Sequence, residues 1–299
     1  MPNHIVLGNG NILIGMDEHA QIRDFFYPYV GQENHVQGHR HKMGIYVDKQ
    51  FSWTFDKESW NNSLFYEKDT LVANIVMHNP SLNISMVMND TVHHNKDIYL
   101  KECTIFNKSS KSREIRIFFN QHFNIAGANI GDTAYYDPKV NAIIYYKGKR
   151  YFFISGSCNN KSFEDYATGI ADFQGKEGTF RDAEDGELSK NPIEHGSVDS
   201  TIGFKLKIPA HGQETIYYWI TVGRRYHDVK FLHDFILRHS PEELFEQSRQ
   251  YWKSWVNKHQ FHFYNLTDEV VDFFKRSLLT IKTQIDNRGA ILASTDSGL

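Results

Sequence analysis

The sequence predicts a mainly β protein in which a large antiparallel β-supersandwich is followed by helices. Residues 12–222 mostly alternate between apolar and polar positions, the period of two that half-buried strands show. After Val222 the apolar spacing changes to the three or four residues of amphipathic helices. Because the strands come first and the helices afterwards, the pattern favours separate domains over a βαβ fold.

Short polar turns separate pairs of alternating segments. Residues 71–77 and 82–88 flank a turn at 78–81, which predicts a hairpin. Similar pairs surround turns at 107–111 and 147–149, and residues 201–208 turn at 209–212 into residues 215–222. Ten or more strands joined in this way predict a large antiparallel sandwich.

Three helices are predicted after the strands. The first carries Val229, Leu232, His233 and Ile236 on one face. The second has a strong start signal, with Ser240 at the N-cap, Pro241 at N1 and Glu243 at N3, followed by Leu244, Ser248, Tyr251, Trp252 and Trp255. We interpret this second helix as a linker packed against the sandwich, in which its tryptophans are core residues.

The third helix is predicted over 268–286. Its apolar stripe is formed by Val271, Phe274, Leu278, Ile281 and Ile285. Such a stripe requires a partner surface, and further helices of the same kind are the natural candidates. The predicted organisation is therefore a sandwich domain at 1–222, a helical linker at 223–265 and, at 266–299, the beginning of a helical domain that the chain leaves truncated.

Composition excludes several classes of function. A formal net charge of -3 and a pI near 6.6 provide no basic surface for nucleic acid. Cys103 and Cys158 lie in apolar, strand-like runs and are expected to be buried thiols. The N-terminus has no signal-peptide pattern and no run is long enough to cross a membrane, so a cytoplasmic location is expected.

No metal site or cofactor is predicted. His39 and His41 would face the same side of a strand, but the sequence identifies no third ligand. The acidic run at 182–187 lacks the spacing of a calcium loop and is interpreted as a solvated loop. No nucleophile elbow or Walker loop is present, and Gly8 and Gly10 precede an apolar strand, as turn residues do.

Several ordered motifs resemble one enzyme family. They are GNGNILI at 8–14, IRDFFYPY at 22–29, GQENH at 31–35, GHRH at 38–41, GDTAYYDP at 131–138, DGELS at 185–189 and NPIEHGSVD at 191–199. Together they are similar to the N-terminal domain of prokaryotic glucoamylase-type enzymes of glycoside hydrolase family 15. The resemblance implies a β-supersandwich, a helical linker and an (α/α)6 barrel that holds the active site. Residues 268–286 would then be the first barrel helix, and 289–294 would lead into the sugar-binding loop.

The resemblance implies hydrolysis of α-glucosidic bonds with inversion. Inverting enzymes use two carboxyl groups roughly 6.5–9.5 Å apart, one as acid and one to activate water. In the family both are glutamates on barrel loops, which would lie beyond Leu299, so no catalytic residue is assigned and the chain alone is expected to be inactive. The implied substrates are an α-glucan, a maltooligosaccharide or trehalose, so that an α,α-trehalase remains an alternative. A free-standing sandwich module that binds carbohydrate or protein is another.

Residues 24–41 supply the candidate substrate-proximal side chains. This segment mixes aromatic, acidic and basic residues unlike the alternating strands around it, and the candidates are Asp24, Tyr27, Glu33, His39, Arg40 and His41. Aromatic rings can stack on sugars, and charged side chains can bond to hydroxyl groups. The structural alternative is a loop whose Phe25, Phe26 and Tyr29 plug the sandwich.

Overall fold

The computed structural model describes residues 3–128, 130–259 and 261–293. The strands are β1 (Ile5–Gly8), β2 (Leu13–Met16), β3 (Ile22–Phe26), β4 (Lys42–Val47), β5 (Gln50–Trp53), β6 (Asn61–Tyr66), β7 (Val72–Asn79), β8 (Ile84–Val92), β9 (Ile98–Asn107), β10 (Arg113–His122), β11 (Asp132–Asp137), β12 (Ala142–Lys147), β13 (Arg150–Cys158), β14 (Lys161–Ser162), β15 (Asp165–Ile170), β16 (Ile193–Gly196), β17 (Val198–Ile208) and β18 (Gln213–Gly223). The helices are α1 (Thr179–Asp182), α2 (Tyr226–His239), α3 (Pro241–Val256) and α4 (Asp268–Thr283), with 3₁₀ turns at Ile125–Gly127 and Ala183–Asp185.

The strands form three antiparallel sheets. A ten-stranded sheet has the order β16-β11-β12-β13-β18-β9-β8-β7-β6, with β14 beside β13, and a five-stranded sheet has the order β15-β17-β10-β4-β5. Strands β1, β2 and β3 form a small third sheet. Alternate apolar residues of the two large sheets share one buried core, among them Ile45, Ile117, Ile202, Met86 and Ile220. The predicted mainly β, antiparallel sandwich is therefore confirmed, while the predicted barrel is not shown.

Two of the predicted hairpins are confirmed. β7 pairs with β8, although β7 extends to Asn79 and so includes part of the predicted turn. β12 pairs with β13 around residues 148–149. The interpretation of the turn at 107–111 as a hairpin is wrong, because β9 pairs with β8 and β18 whereas β10 pairs with β4 and β17. The turn at 209–212 likewise joins β17 and β18, which belong to different sheets.

These two connections cross from one sheet to the other, and the side chain of Asn107 joins them. Its amide nitrogen donates to the carbonyl oxygens of Lys111, Ile208 and Pro209 at 2.8, 3.1 and 2.9 Å. Its oxygen accepts from the Arg113 guanidinium at 2.9 Å. Alternation cannot distinguish a hairpin from such a crossing, because facing sheets bury the same apolar pattern.

Helices α2 and α3 cover the outer face of the large sheet, a position that the sequence predicted for α3. Ile236, Leu244 and Phe245 form a second buried cluster with Trp219 and other residues of the sheet. The start signal of α3 is confirmed, since the Ser240 hydroxyl accepts from the Glu243 N–H at 3.3 Å. The last strand ends at Gly223, where the periodicity predicts the change to helix. The division into domains at 222 and 265 remains a prediction.

Helix α4 ends at Thr283, three residues earlier than predicted, and it does not bury the predicted stripe. Leu279 and Thr283 are fully buried, while Phe274 and Ile281 of the stripe are 38% and 53% exposed. The helix packs instead with the face that holds Leu279, which contacts Leu71, Trp252 and Val256. Two of the five stripe residues are thus exposed, while Val271, Leu278 and Ile285 are half-buried.

Both cysteines are buried free thiols, as predicted. Within the described ranges, no helix is long and apolar enough to cross a bilayer. Trp252, which is 1% exposed, is a core residue as predicted, whereas Trp255 is only partly buried.

Candidate functional site

The candidate substrate-proximal segment, residues 24–41, comprises the end of β3 and the connection to β4, and is here called the N-terminal loop. Phe25 is fully buried in the main core and packs edge-on against Phe123 and Phe152. Phe26 is buried in a separate cluster with Leu13 and Val30. Tyr29 is half-buried, and the Arg288 guanidinium lies 4.3 Å above its ring. Two of the three aromatic plugs therefore enter the interior, whereas Tyr29 lies at the surface.

Asp24 holds the base of the N-terminal loop. Its carboxylate is fully buried and accepts from the Asn34 amide at 2.6 Å, and the Arg23 guanidinium lies 3.3 Å away. The Asn34 oxygen in turn accepts from the N–H groups of Phe25 and Val36. This network fixes the backbone of the loop, and Asp24 is enclosed by it.

Tyr27 lines an open cleft of about 480 Å³ between the N-terminal loop and the start of α2. The remaining wall includes Asp97, Arg224, His227, Asp228 and Phe231, whose ring is 51% exposed. Burial, with the nearby Asp97, raises the pKa of Tyr27 to about 12, so its hydroxyl stays protonated. Burial also raises the pKa of Asp97. An exposed ring beside cationic and acidic groups is a combination that can bind a sugar by stacking and hydrogen bonds.

Glu33 forms a two-pronged ion pair beside this cleft. Arg150, the first residue of β13, donates to the two carboxylate oxygens from Nε and Nη2 at 2.8 and 2.7 Å. The hydrogen bonds from Arg150 outweigh burial and lower the pKa of Glu33. The Tyr27 N–H donates to the Glu33 carbonyl at 3.2 Å, so the pair also braces the loop residue that lines the cleft.

Of the six candidates Tyr27 alone lines the cleft, and the last three lie at the far end of the loop. The His39 ring stacks on His122, with centroids 3.6 Å apart. Arg40 lies 3.5 Å from the Asp17 carboxylate and donates to the His39 carbonyl at 2.6 Å. His41 is buried edge-on against Phe123, and neither of its ring nitrogens has a hydrogen-bond partner among the described residues. The six candidates therefore divide between the cleft side of the loop, its buried base and its far end.

The segment after α4 packs onto the N-terminal loop. The Val30 N–H donates to the Asp286 carboxylate at 3.1 Å, and Arg288 donates to the Pro28 carbonyl at 2.9 Å. Gly31 has a φ of 79°, and a Cβ atom there would lie 2.0 Å from a methyl group of Leu292. A side chain at residue 31 would therefore require the Leu292 side chain to move and would strain the backbone. Of the predicted segment 289–294, Ser294 lies outside the described residues.

Sequence reasoning missed most of the cleft. Asp97 precedes β9, Arg150 begins β13 and Arg224 follows β18, and the three share no motif. The sequence offered one hint, the place of Arg224 and Arg225 directly after the last strand, at the predicted boundary between strands and helices. The order of the strands brings these side chains to the same edge as the N-terminal loop. That order cannot be predicted from the local spacing of apolar residues.

Comparisons with known proteins place the chain among relatives of glycoside hydrolases. No family model matches the chain. It is 24% identical over 295 residues to an uncharacterized glycosyl hydrolase of Methanocaldococcus jannaschii, covering 97% of this chain and 46% of the relative. The chain thus spans less than half the length of this relative.

Solved structures share the fold. A bacterial glucoamylase complexed with acarbose superposes with a TM-score of 0.78 at 12% identity, over 98% of this chain and 42% of the glucoamylase. A family GH92 alpha-mannosidase from Bacteroides thetaiotaomicron superposes with a TM-score of 0.54 at 10% identity, over 95% of this chain and 39% of the mannosidase. The chain is therefore similar to a glycosyl hydrolase in sequence, and its sandwich and linker fold is one that glycoside hydrolases contain.

Proposed function

We propose that this chain is the sandwich and linker part of a glucoamylase-like enzyme of glycoside hydrolase family 15, which hydrolyses α-glucosidic bonds with inversion. The observation that carries the proposal is similarity to a glycosyl hydrolase along 97% of the chain. The ordered motifs from residue 8 to residue 199 and the shared fold with a bacterial glucoamylase support the same family. The substrate class would be an α-glucan or a maltooligosaccharide.

In this proposal the two catalytic carboxyl groups belong to a helical barrel domain outside the chain. Exposed apolar side chains on α4 support this arrangement, because Val270, Phe273 and Ile281 are 47%, 74% and 53% exposed. Neighbouring barrel helices would cover these side chains. The chain alone would then lack hydrolytic activity and would serve as scaffold and side wall for the active site.

The cleft beside Tyr27 is where we propose that the sandwich and linker contact the sugar. The exposed ring of Phe231 offers a stacking surface, and Arg224 and His227 are exposed hydrogen-bond donors beside it. The Glu33–Arg150 pair keeps the N-terminal loop in place at this edge. Of the six candidates, Tyr27 and Glu33 therefore carry the substrate-proximal proposal.

The anomer released first tests the proposed reaction. The longest polypeptide encoded by the reading frame that contains this chain would be incubated with maltooligosaccharides and, separately, with α,α-trehalose. Proton NMR of the first minutes of reaction should show β-glucose, because inversion of an α-linkage gives the β-anomer. Release of α-glucose first would refute inversion, and activity on trehalose alone would make the enzyme a trehalase.

Variants test the role of the cleft. Arg224→Ala should raise KM for maltooligosaccharides with little change in folding, whereas Arg238→Ala, exposed at the other end of α2, should change neither. Equal kinetics for the two variants would exclude the cleft from substrate binding. Binding of maltooligosaccharide by the present chain alone, without activity in the longer polypeptide, would favour a free-standing binding module instead.

A further inference from the structure

The turn between β1 and β2 holds the connection between β8 and β9 at the wall of the cleft. Asn9 donates from its side-chain amide to the carbonyl oxygens of His93 and Lys96, at 3.0 Å each. Asn11 donates from its amide to the Asp97 carboxylate at 3.2 Å. Asp97, the last residue before β9, lines the cleft. This turn therefore fixes the position of a carboxylate in the candidate site.

The segment after α4 fixes the Asn11 side chain from its other end. Asn287 donates from its amide to the Asn11 side-chain oxygen at 3.1 Å, and the Asn287 N–H donates to the Gly10 carbonyl at 3.0 Å. Gly10 has a φ of 90°, and a Cβ atom there would lie 2.4 Å from the Asn287 side-chain oxygen. Glycine therefore lets Asn287 approach the turn. The Asn11 amide is thus oriented with its oxygen toward Asn287 and its nitrogen toward Asp97.

Asp97 has one carboxylate oxygen available to a ligand. Its Oδ1 atom accepts from Asn11, whereas Oδ2 has no hydrogen-bond partner among the described residues. The side chain is half-buried and Oδ2 is not enclosed, so this atom is accessible from the cleft. The Val222 N–H donates to the Asp97 carbonyl at 3.0 Å and keeps the residue at the edge of the large sheet. A carboxylate held in this way can accept a hydrogen bond from a ligand hydroxyl.

Tyr27 places a hydrogen-bond donor in the same cleft. It is 5% exposed, and its hydroxyl makes no hydrogen bond with the described residues. Charges of the cleft wall, on Asp97, Arg224 and Asp228, act on this hydroxyl, which therefore faces the cleft. A buried hydroxyl without a partner costs free energy. Neighbouring hydroxyl groups of one sugar can accept from Tyr27 and donate to Asp97.

The charged groups around Asp97 modulate its ionisation. Burial raises the pKa of Asp97, while the hydrogen bond from Asn11 and the charges of Arg288 and Lys96 oppose that rise. The remaining titratable groups of the cleft wall are Tyr27, Arg224, His227 and Asp228. The ionised form, which accepts hydrogen bonds through both oxygens, is therefore replaced by the protonated form at a higher pH than in an ordinary aspartate.

We propose that Asp97 binds a hydroxyl group of a neutral sugar in the cleft and that Asn11 is its positioning residue. This inference rests on the proposed function, because it assigns a role to a further residue of the same site. A sugar phosphate or a sugar acid would place a negative charge beside Asp97 and should bind more weakly. The segment that bonds to Asn11 through Asn287 also bonds to the N-terminal loop, so one segment holds both walls of the cleft.

Asp97→Asn tests the carboxylate. Asparagine has nearly the same shape, and its side-chain oxygen can still accept from Asn11, so the unfolding temperature should not change. In the longer polypeptide, KM should rise about 10-fold for whichever of maltooligosaccharide and α,α-trehalose is hydrolysed, because a hydrogen bond to a charged group is lost. The value of kcat should change little, since this contact is made equally in the ground state and the transition state.

Asp234→Asn is the matched control for Asp97→Asn. Asp234 lies on α2, pairs at the surface with Lys230 and does not line the cleft. The control variant should therefore keep the KM and kcat of the parent. A rise in KM of similar size in both variants would show that Asp97 has no specific role.

Asn11→Ala separates positioning of Asp97 from a purely structural role. Its hydrogen bond lowers the pKa of Asp97, so without it Asp97 should take up a proton at a higher pH. The KM of the parent should rise as the pH falls and Asp97 becomes protonated. This rise should begin at a higher pH in Asn11→Ala and should be absent in Asp97→Asn. An increase in KM of the same size at every pH in Asn11→Ala would overturn the positioning role.

Direct binding distinguishes failure of this assignment from failure of the proposed function. Maltotriose binding to the present chain would be measured by titration calorimetry for the parent and for Asp97→Asn. If the longer polypeptide hydrolyses a substrate and Asp97→Asn keeps the parent KM, the assignment is overturned and the function stands. If the longer polypeptide hydrolyses neither substrate, the proposed function fails, and about 10-fold weaker maltotriose binding by Asp97→Asn would still support the assignment. Equal binding by both chains, or none by the parent, would then overturn the assignment as well.

Discussion

The Asp286 carboxylate accepts a hydrogen bond from the Val30 N–H at 3.1 Å, across 256 positions of sequence. The Arg288 N–H also donates to it, at 2.8 Å. Two sequence-distant segments, one after α4 and one in the N-terminal loop, thus form a single surface beside Tyr29. This contact holds in place the loop that lines the candidate cleft.

Asp286→Ala should detach this segment. The buried Val30 N–H and the part-buried Arg288 N–H would lose a charged acceptor, which costs about 1–3 kcal/mol of unfolding free energy, measured by urea denaturation. Asp272→Ala is the control on α4, since Asp272 forms only an exposed pair with Lys68 and should cost under about 1 kcal/mol. Equal losses in both variants would contradict a specific role for Asp286.

The ionisation of Asp286 predicts how the effect of this substitution on stability depends on pH. Burial would raise its pKa, but the hydrogen bonds from Arg288 and Val30 and the Arg288 charge outweigh burial and lower it. A carboxyl with a lowered pKa contributes stability above its unfolded value, and that contribution is lost as pH falls through the folded value. The difference in stability between parent and Asp286→Ala should therefore shrink in acid.

Lys101→Met should be among the most damaging single changes in the sandwich. Lys101 donates to both oxygens of Asp90 at 2.9 and 2.7 Å, and both side chains are buried. Removing the ammonium leaves an unpaired buried carboxylate, at a cost of about 3–5 kcal/mol. Adding Asp90→Asn should recover part of this loss, because the amide oxygen can still accept from Tyr99. A double variant as unstable as the sum of the two single variants would show no coupling.

Buried histidines should make the fold sensitive to mild acid. Burial is the first cause of the low pKa in each, and the values are about 4 for His35, about 3 for His41, about 4 for His93, about 2 for His122 and about 4 for His233. Because the unfolded chain takes up these protons first, stability is full above pH 6.5 and falls as pH decreases toward the folded values. Asp199 acts in the opposite direction, since burial raises its pKa to about 6.

His41→Leu isolates one of these groups. Neither ring nitrogen of His41 has a hydrogen-bond partner among the described residues, so the change removes a titrating group without breaking a bond. The change in unfolding free energy between pH 5 and pH 6.5 should be smaller in the variant than in the parent. The reduction should be at most about 1.4 kcal/mol per pH unit. An unchanged slope would show that His41 does not titrate on unfolding.

Asn107→Ala should loosen both connections between the two large sheets. Its side chain makes three donor bonds and accepts from Arg113, so its loss should cost more than about 2 kcal/mol. Asn62→Ala is the matched control, because Asn62 makes one bond, to the Glu18 carbonyl, and should cost about 1 kcal/mol. Urea denaturation of the two variants provides the comparison, and a smaller loss for Asn107→Ala would contradict its role.

The exposed apolar position Phe273 on α4 should tolerate a polar residue. Phe273 is 74% exposed, so Phe273→Ser should leave the unfolding free energy within about 0.5 kcal/mol and reduce the binding of a hydrophobic dye. Leu279→Ser, on the buried face of the same helix, should cost at least about 2–5 kcal/mol. Destabilisation of similar size by both changes would show that Phe273 is covered.

The local elements could be predicted because their signals are local. Alternation identified β7 and β8, and the Ser240 signal identified the start of α3. For α4, the apolar spacing predicted a helix but not the face it buries. Leu279 packs against the sandwich, while Phe274 and Ile281 remain exposed, because the shape and position of the neighbouring elements select among apolar faces.

The sequence by itself determined a mainly β chain, the change to helices after Gly223, buried thiols and a resemblance to one hydrolase family, since periodicity, composition and ordered motifs are all linear properties. Only the tertiary structure decided that the segments around residues 107 and 209 cross between sheets. It also decided that Tyr27 meets Arg224 in a cleft and that His39 meets His122 and Asp172. Such contacts depend on strand order and sheet stacking, which bring distant residues together through burial of the whole core rather than through any local pattern.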